Sequence, residues 1–210
     1  LVEILTVFMI LTVVGYSLSL MFKQATDSYS TIKASQEIVD TERSIIAAMS
    51  RDIQNAYISE TDPRFRFIAS DSQLNFNAFR EHSAGYGEIV EIGYSYDGAG
   101  NRIMRRIASG PVIPDADVTA GGSPEPLGGN VQSLSFRIGY KGAAGTVEYV
   151  SGSSTWDSRN ERFPNYNAAG AEKIPDGLPH LIEITFALTD SRGVYPQQTI
   201  TTAVYLSQDN

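Results

Sequence analysis

Cysteine is absent from this 210-residue chain, so its core must stand without disulfides and a thiol nucleophile is excluded. That absence is a weak guide to compartment, because exported proteins need not use disulfides and cytosolic ones rarely do. Histidine is nearly missing too: His82 and His180 are the only two, so an imidazole-based triad would have to use one of them. His180 follows Pro179 at the start of a strand pattern, where an exposed or partly packed ring is the default. No Gly-x-Ser-x-Gly, His-Glu-x-x-His or phosphate-loop spacing occurs. No enzymatic activity is expected from this inventory. Basic residues are scarce, 16 Lys and Arg against 24 Asp and Glu, giving a net charge of −8 and a pI near 4.7. No basic run interrupts that balance, which argues against a nucleic-acid surface, since binding there needs clustered cations to displace counterions.

Charge is missing altogether over one long stretch. In LVEILTVFMILTVVGYSLSLMF, residues 1–22, Glu3 is the only charged side chain, and about 19 uncharged residues follow it. A helix of about 20 residues crosses the hydrocarbon core of a bilayer. A cleavable signal peptide would have a basic start, an apolar run of only ~7–15 residues and a small-residue cleavage site, none of which is seen here. The expectation is a retained membrane helix. Glu3 lies near one membrane face and near the positive end of its own helix dipole, where a carboxylate is favoured.

Proline first occurs at Pro63, so nothing breaks the helix beyond the membrane segment. Ile32, Ile38, Val39, Ile45, Ile46, Met49, Ile53 and Tyr57 recur every three to four residues, the signature of one apolar stripe. Lys33, Glu37, Asp40, Glu42, Arg43, Arg51 and Asp52 mostly fill the other faces. The pattern predicts one helix from Leu1 to about Ile58. Residues 1–22 span lipid, and residues 23–60 continue as an amphipathic helix whose Lys23–Ser35 neck is only weakly apolar.

After Pro63 the period changes to alternation. Strands are expected over Leu74–Phe79, Ile89–Tyr96 and on to Ile107 through the turn Asp97-Gly98-Ala99-Gly100-Asn101. Others are expected over Leu134–Tyr140, Thr146–Val150, Ile182–Leu188 and Ile200–Leu206. One-sided strands imply an antiparallel sheet with a covered face, and the amphipathic half of the helix is the obvious cover. The fold class is therefore α+β, with residues 61–210 a sheet domain large enough to bury a real core. Two stretches, 110–130 and 151–178, are irregular and rich in Gly and Pro. The first reads as a mobile loop, and the second, holding Trp156, Phe163 and Tyr166, as packed on the sheet or on a partner. Asp115 and Asp117, with Asp157 and Asn160, offer oxygens of the kind calcium takes, but no full ligand set is visible. No cofactor is expected, with calcium the one ion considered.

Leu-Val-Glu-Ile-Leu followed by an apolar helix resembles the mature start of type IV pilins and type II secretion pseudopilins. Ser154-Thr155-Trp156-Asp157 and then Asp176-Gly177-Leu178-Pro179-His180-Leu181-Ile182-Glu183-Ile184 resemble minor pseudopilin J of the type II secretion system. Thr41-Glu42-Arg43 through Arg51-Asp52-Ile53 and Asn101 to Ile107 resemble that subunit's helix and its Arg-containing strand. The resemblance implies a pilin-like fold and a non-catalytic subunit, single-pass in the bacterial inner membrane with its C-terminal domain in the periplasm. It implies processing by prepilin peptidase and methylation of the new amine. It also implies partners in minor pseudopilins I and K, the major pseudopilin and the inner-membrane assembly platform, in a tip complex that starts the pseudopilus. Glu3 would be the family acid, which neutralises the terminal amine of a neighbouring subunit. Ile32, Ile38, Val39, Ile45 and Trp156 are the expected partner surface. The alternatives are a W-class minor type IV pilin, which starts the same way, and a singly anchored periplasmic binding domain with no filament role.

Overall fold

The computed structural model describes residues 2–59, 65–81, 87–109, 122–142, 145–150, 155–158, 178–193 and 195–206. Helix α1 runs unbroken over Val2–Gln54, about 80 Å at the standard rise per residue. It stops four residues short of the expected Ile58. Asn55 caps it, its backbone N–H reaching Arg51 O at 3.3 Å and its Nδ2 donating to the same oxygen at 2.9 Å. The next two residues leave the helix because they have sheet to join: strand β1, Ala56–Tyr57, pairs with the later strand Gln73–Glu81, placing Tyr57 opposite Asn77 and Ala56 opposite Ala78.

Eleven strands follow among the described residues, all paired antiparallel. β2 (Phe67–Ala69), β3 (Gln73–Glu81), β4 (Gly87–Asp97), β5 (Arg102–Ser109), β6 (Ser123–Gly129) and β9 (Trp156–Asp157) form one sheet with β1, in the order β6-β5-β4-β3-β2-β9 with β1 also on β3. β7 (Val131–Lys141), β8 (Val147–Tyr149), β10 (Leu181–Leu188) and β11 (Gln198–Tyr205) form a second, in the order β11-β10-β7-β8. Helix α1 touches β6 of one sheet and β11 of the other. Its buried residues Ala34, Ile38, Ile45, Met49, Asp52 and Ile53 begin only at position 34.

The β4–β5 hairpin turns where the Gly-rich sequence predicts. Asn101 takes a φ of 48°, and Asp97 accepts from the N–H groups of Ala99 and Gly100 and from Arg102 Nε. Arg102 first, then the Gly100 N–H, hold the Asp97 carboxyl below the usual carboxylate range. In the second sheet the alternation is clean. Phe136, Ile138, Ile182, Ile184, Phe186 and Val204 point inward, while Ser135, Arg137, Thr185 and Thr201 take the other face.

Of the loop expected over 110–130, residues 110–121 lie outside the described residues, and strand β6 replaces it over Ser123–Gly129. Its sequence is Ser-Pro-Glu-Pro-Leu-Gly-Gly, which reads as irregular because Pro cannot donate to a ladder. At a sheet edge that loss is harmless. Pro124 and Pro126 flank Glu125, which pairs with Arg105, so both missing donors fall on the same, unpaired side. Such prolines blunt the edge against adding a further strand. Gly128 then lets the helix approach, since a Cβ there would stand 2.7 Å from Ile45 Cδ1. Gly122, at a φ of +68°, starts the strand where a Cβ would lie 2.4 Å from the Ile107 carbonyl oxygen.

The core lies between the two sheets and under the helix. Phe67 stacks on Phe76 at 5.3 Å and Phe76 on Tyr94 at 6.5 Å. Trp156, 1% exposed, meets Tyr140 of the second sheet at 6.3 Å. Of the segment 151–178, Trp156 is thus packed on the sheet; Phe163 and Tyr166 lie outside the described residues.

Candidate functional site

Two regions stand out, and the first is the projecting helix. From Val2 to Phe22 every side chain is exposed, and the helix is long and apolar enough to cross a membrane. Glu3 sits in its first turn, exposed. Past the apolar run, residues 23–33 carry only three apolar side chains, Ala25, Tyr29 and Ile32. Tyr29 is 68% exposed and Ile32 57%, exposures that water-facing aromatic and β-branched residues do not need. Stepped by four and three, positions 18, 22, 25, 29, 32, 36 and 39 read Leu, Phe, Ala, Tyr, Ile, Gln and Val. The same step runs back through Gly15, Leu11, Phe8 and Ile4. An alternating four-three repeat is the seam by which one helix packs along another, and this one continues from the apolar segment into the neck.

The expected partner surface is thereby redrawn. Ile38 and Ile45 are buried under the sheets at 2% and 0% exposure, and Trp156 is in the core, so none of the three offers a surface to a partner. The helical period did place Ile38 and Ile45 on one stripe, but it is the stripe turned to their own domain. Ile32 and the half-buried Val39 remain available, on a second stripe that sequence periodicity merged with the first. A double substitution Tyr29→Glu with Ile32→Glu should leave thermal unfolding within about 0.5 kcal/mol of the parent, as exposed sites do. If a partner helix packs on this seam, the substitution should abolish its cross-linking to cysteines placed along the seam.

Glu37 marks where the free helix ends. Its carboxylate accepts from Asn130 Nδ2 at 3.2 Å and from Ser191 Oγ at 3.0 Å. Asn130, at a φ of 59°, joins β6 to β7, and Ser191 lies in the β10–β11 turn. One side chain thus ties both sheets to the helix just above the neck.

The second region lies at the far end of α1. Asp52 is 7% exposed and accepts from Arg105 Nε at 2.8 Å, Arg105 Nη2 at 2.9 Å and the Tyr94 hydroxyl at 2.5 Å. Arg105 Nη1 also donates to Glu125 Oε1 at 3.1 Å. Burial first, then the Asp52 carboxylate, push the Tyr94 phenol far above its ordinary range, while Asp52 and Glu125 help keep Arg105 charged. Sequence reading put Asp52 among the solvated faces. Its spacing of three from Met49, itself four from Ile45, would have put it on the buried stripe, beside an Arg-containing strand able to receive it. On the opposite face of the same sheet Glu91 and Arg106 form a second ion pair, 1% and 4% exposed.

Asp115, Asp117, Asn160 and His82 lie outside the described residues. Asp157 faces Arg66 at 3.6 Å, and His180 meets the Tyr205 ring edge-on at 5.9 Å. Among the described residues no group of three or more His, Asp or Glu gathers as a metal site would require. No family model matches the chain, and no curated protein matches it.

Proposed function

We propose that this chain is a non-catalytic assembly subunit of the pseudopilin type, anchored in the bacterial inner membrane by α1 with its sheet domain in the periplasm. Within that class we assign it the part of minor pseudopilin J. It would join subunits I and K in the tip complex that initiates the type II secretion pseudopilus, with the major pseudopilin added beneath by the assembly platform. The observation that supports this reading most is the four-three seam from Ile4 to Ile32, exposed along its whole length. A helix held to its own domain only from Ala34 onward, with an apolar seam along its free length, is built for lateral helix packing. A single anchor would need no seam in the neck. Helix association in lipid relies on close packing rather than on a hydrophobic driving force, so Gly15 on the seam also fits.

The test is co-purification of the full chain with the I and K subunits encoded in the same genome. A ternary complex of one copy each supports the secretion reading. Capture of pilus tip proteins instead, with neither I nor K, would replace it with the W-class minor pilin, and no helix-dependent partner at all would leave a singly anchored binding domain.

A further inference from the structure

A β-sheet leaves backbone polar groups unpaired along its outer strands, and native chains protect those strands by keeping them short, by placing Pro or charge on them, or by bulging them. Of the four strands that end the two sheet orders, three follow that rule. β6 carries Pro124 and Pro126, β8 is three residues long and β9 two. β11 does not follow it. It runs eight residues, Gln198–Tyr205, in unbroken register against β10, and in a chain of net charge −8 it contains neither Pro nor a charged residue. Which of its backbone groups are free follows from the ladder. The Leu206 N–H donates to the His180 carbonyl oxygen, and antiparallel residues alternate between bonded and unbonded pairs. In this register Gln198, Ile200, Thr202 and Val204 bond to β10, whereas Thr199, Thr201, Ala203 and Tyr205 turn their N–H and C=O groups outward. Among the described residues no hydrogen bond reaches those outward groups. The side chains of the same four residues are exposed, Tyr205 at 61%. Helix α1 touches β11, but Ile200 and Thr202 on the core-facing side stay only half-buried, so the helix does not close over the strand.

We infer that β11 receives an extended, uncharged segment of a protein partner, added as a fifth strand to the four-stranded sheet. Four N–H donors and four C=O acceptors at a two-residue repeat match one class of ligand, an extended polypeptide backbone. In strand addition the main-chain bonds give affinity and alternate side chains give specificity. One face of the segment would meet Ile200 and Val204, which suits β-branched residues at alternate positions. The other would lie beside Thr199, Thr201 and Ala203. With no charge on β11 to pair, an ionised side chain on the segment would gain nothing there. The inference requires no part of the assembly reading, and its test uses no other subunit.

The full chain in neutral detergent micelles is titrated with a fluorescein-labelled octapeptide of alternating threonine and valine, N-methylated at every second amide so that only one of its edges can pair. The same peptide methylated at every amide is the control. The half-methylated peptide should bind and the control should not, because it has no donor to offer. On binding, amide hydrogen exchange within β11 should slow at Thr199, Thr201, Ala203 and Tyr205 alone, the inward amides being bonded to β10 already. Thr201→Pro removes an outward N–H and no bond to β10, so it should weaken binding roughly ten-fold or more while near-UV circular dichroism stays that of the parent. The exchange pattern is read on the parent chain and decides the matter whether or not that variant folds. The proposal is overturned if the half-methylated peptide fails to bind at millimolar concentration, if the control binds equally, if the exchange pattern is absent, or if a folded Thr201→Pro binds as tightly as the parent. Slow exchange at the outward amides before any peptide is added, with a mass of two chains per micelle, would also overturn it and make the occupant a second copy of this chain.

Discussion

Replacing Asp52 with alanine is expected to lower the unfolding free energy by about 3 kcal/mol, the low end of the range for breaking a buried ion pair by removing one partner. The reason is what the substitution leaves behind. Arg105, whose side chain is 17% exposed, would keep its charge in a place where water reaches it poorly, and Tyr94 would lose the acceptor that its buried hydroxyl needs. Glu125 stays on Arg105 Nη1, but it is 57% exposed and a screened pair offsets little, so it moderates the loss without cancelling it. For a domain of this size the change corresponds to a fall in Tm of roughly 6–12 °C, measured by circular dichroism on the full chain in micelles. A loss below about 1 kcal/mol would mean that water or Glu125 solvates Arg105 far better than the geometry indicates. The same network sets a pH limit. Because burial and Asp52 raise the folded Tyr94 pKa above its unfolded value, its contribution is complete below about pH 10. It is lost as pH rises from there toward the folded value, since the unfolded chain releases the proton first. Tyr94→Phe should remove that alkaline decline while costing about 1.5–3 kcal/mol at neutral pH, the worth of a hydrogen bond to a charged acceptor.

Most strands were legible in the sequence because one face of each is solvated. Phe136, Ile138 and Tyr140 alternating with Ser135, Arg137 and Gly139, and Ile182, Ile184 and Phe186 alternating with Glu183 and Thr185, carry a period that only a half-buried strand imposes. Residues that contradict local rules for tertiary reasons were not legible. Strand β6 is a Pro-rich edge whose pairing depends on which side of it is free, and that is decided by β5 and the helix. The β1 pair ends the helix early because β3 offers a partner nearly two dozen positions away in sequence, which no local pattern announces. The candidate site divides the same way. The apolar segment and Glu3 stand out by composition, whereas the two stripes on the helix overlap in sequence and separate only when the sheets claim Ile38, Ile45 and Met49. What remains outside, Tyr29 and Ile32, is then the part for which the domain itself has no use.

On the assembly reading proposed above, Glu3→Ala is expected to leave membrane insertion unchanged or slightly improved, yet to reduce incorporation into the assembled complex by roughly a hundred-fold. The sign of the first effect follows from removing an ionisable group from an apolar helix, which insertion scales favour. The second follows from the partner charge. If Glu3 faces the terminal amine of a neighbouring subunit within the bilayer, its loss leaves that amine alone in a medium where an unpaired charge costs about 2.5–3.5 kcal/mol. At 1.4 kcal/mol per ten-fold change in an equilibrium constant, that is roughly two to two and a half decades. Glu3→Gln should restore little, because an amide accepts a hydrogen bond but cannot neutralise the amine. The measurement is cross-linking yield between seam cysteines in membranes carrying the full set of subunits, compared with the chain's own abundance in the same membranes. Equal yields for the parent and Glu3→Ala would mean that the carboxylate merely reaches the interfacial water from its place in the first turn. The seam would then have to specify register by shape alone, through Gly15 and the aromatic rings of Phe8, Phe22 and Tyr29. A selective loss in Glu3→Ala, with Tyr29→Glu/Ile32→Glu losing the same cross-links without any change at Glu3, would show charge and seam acting on one helix–helix contact from its two ends.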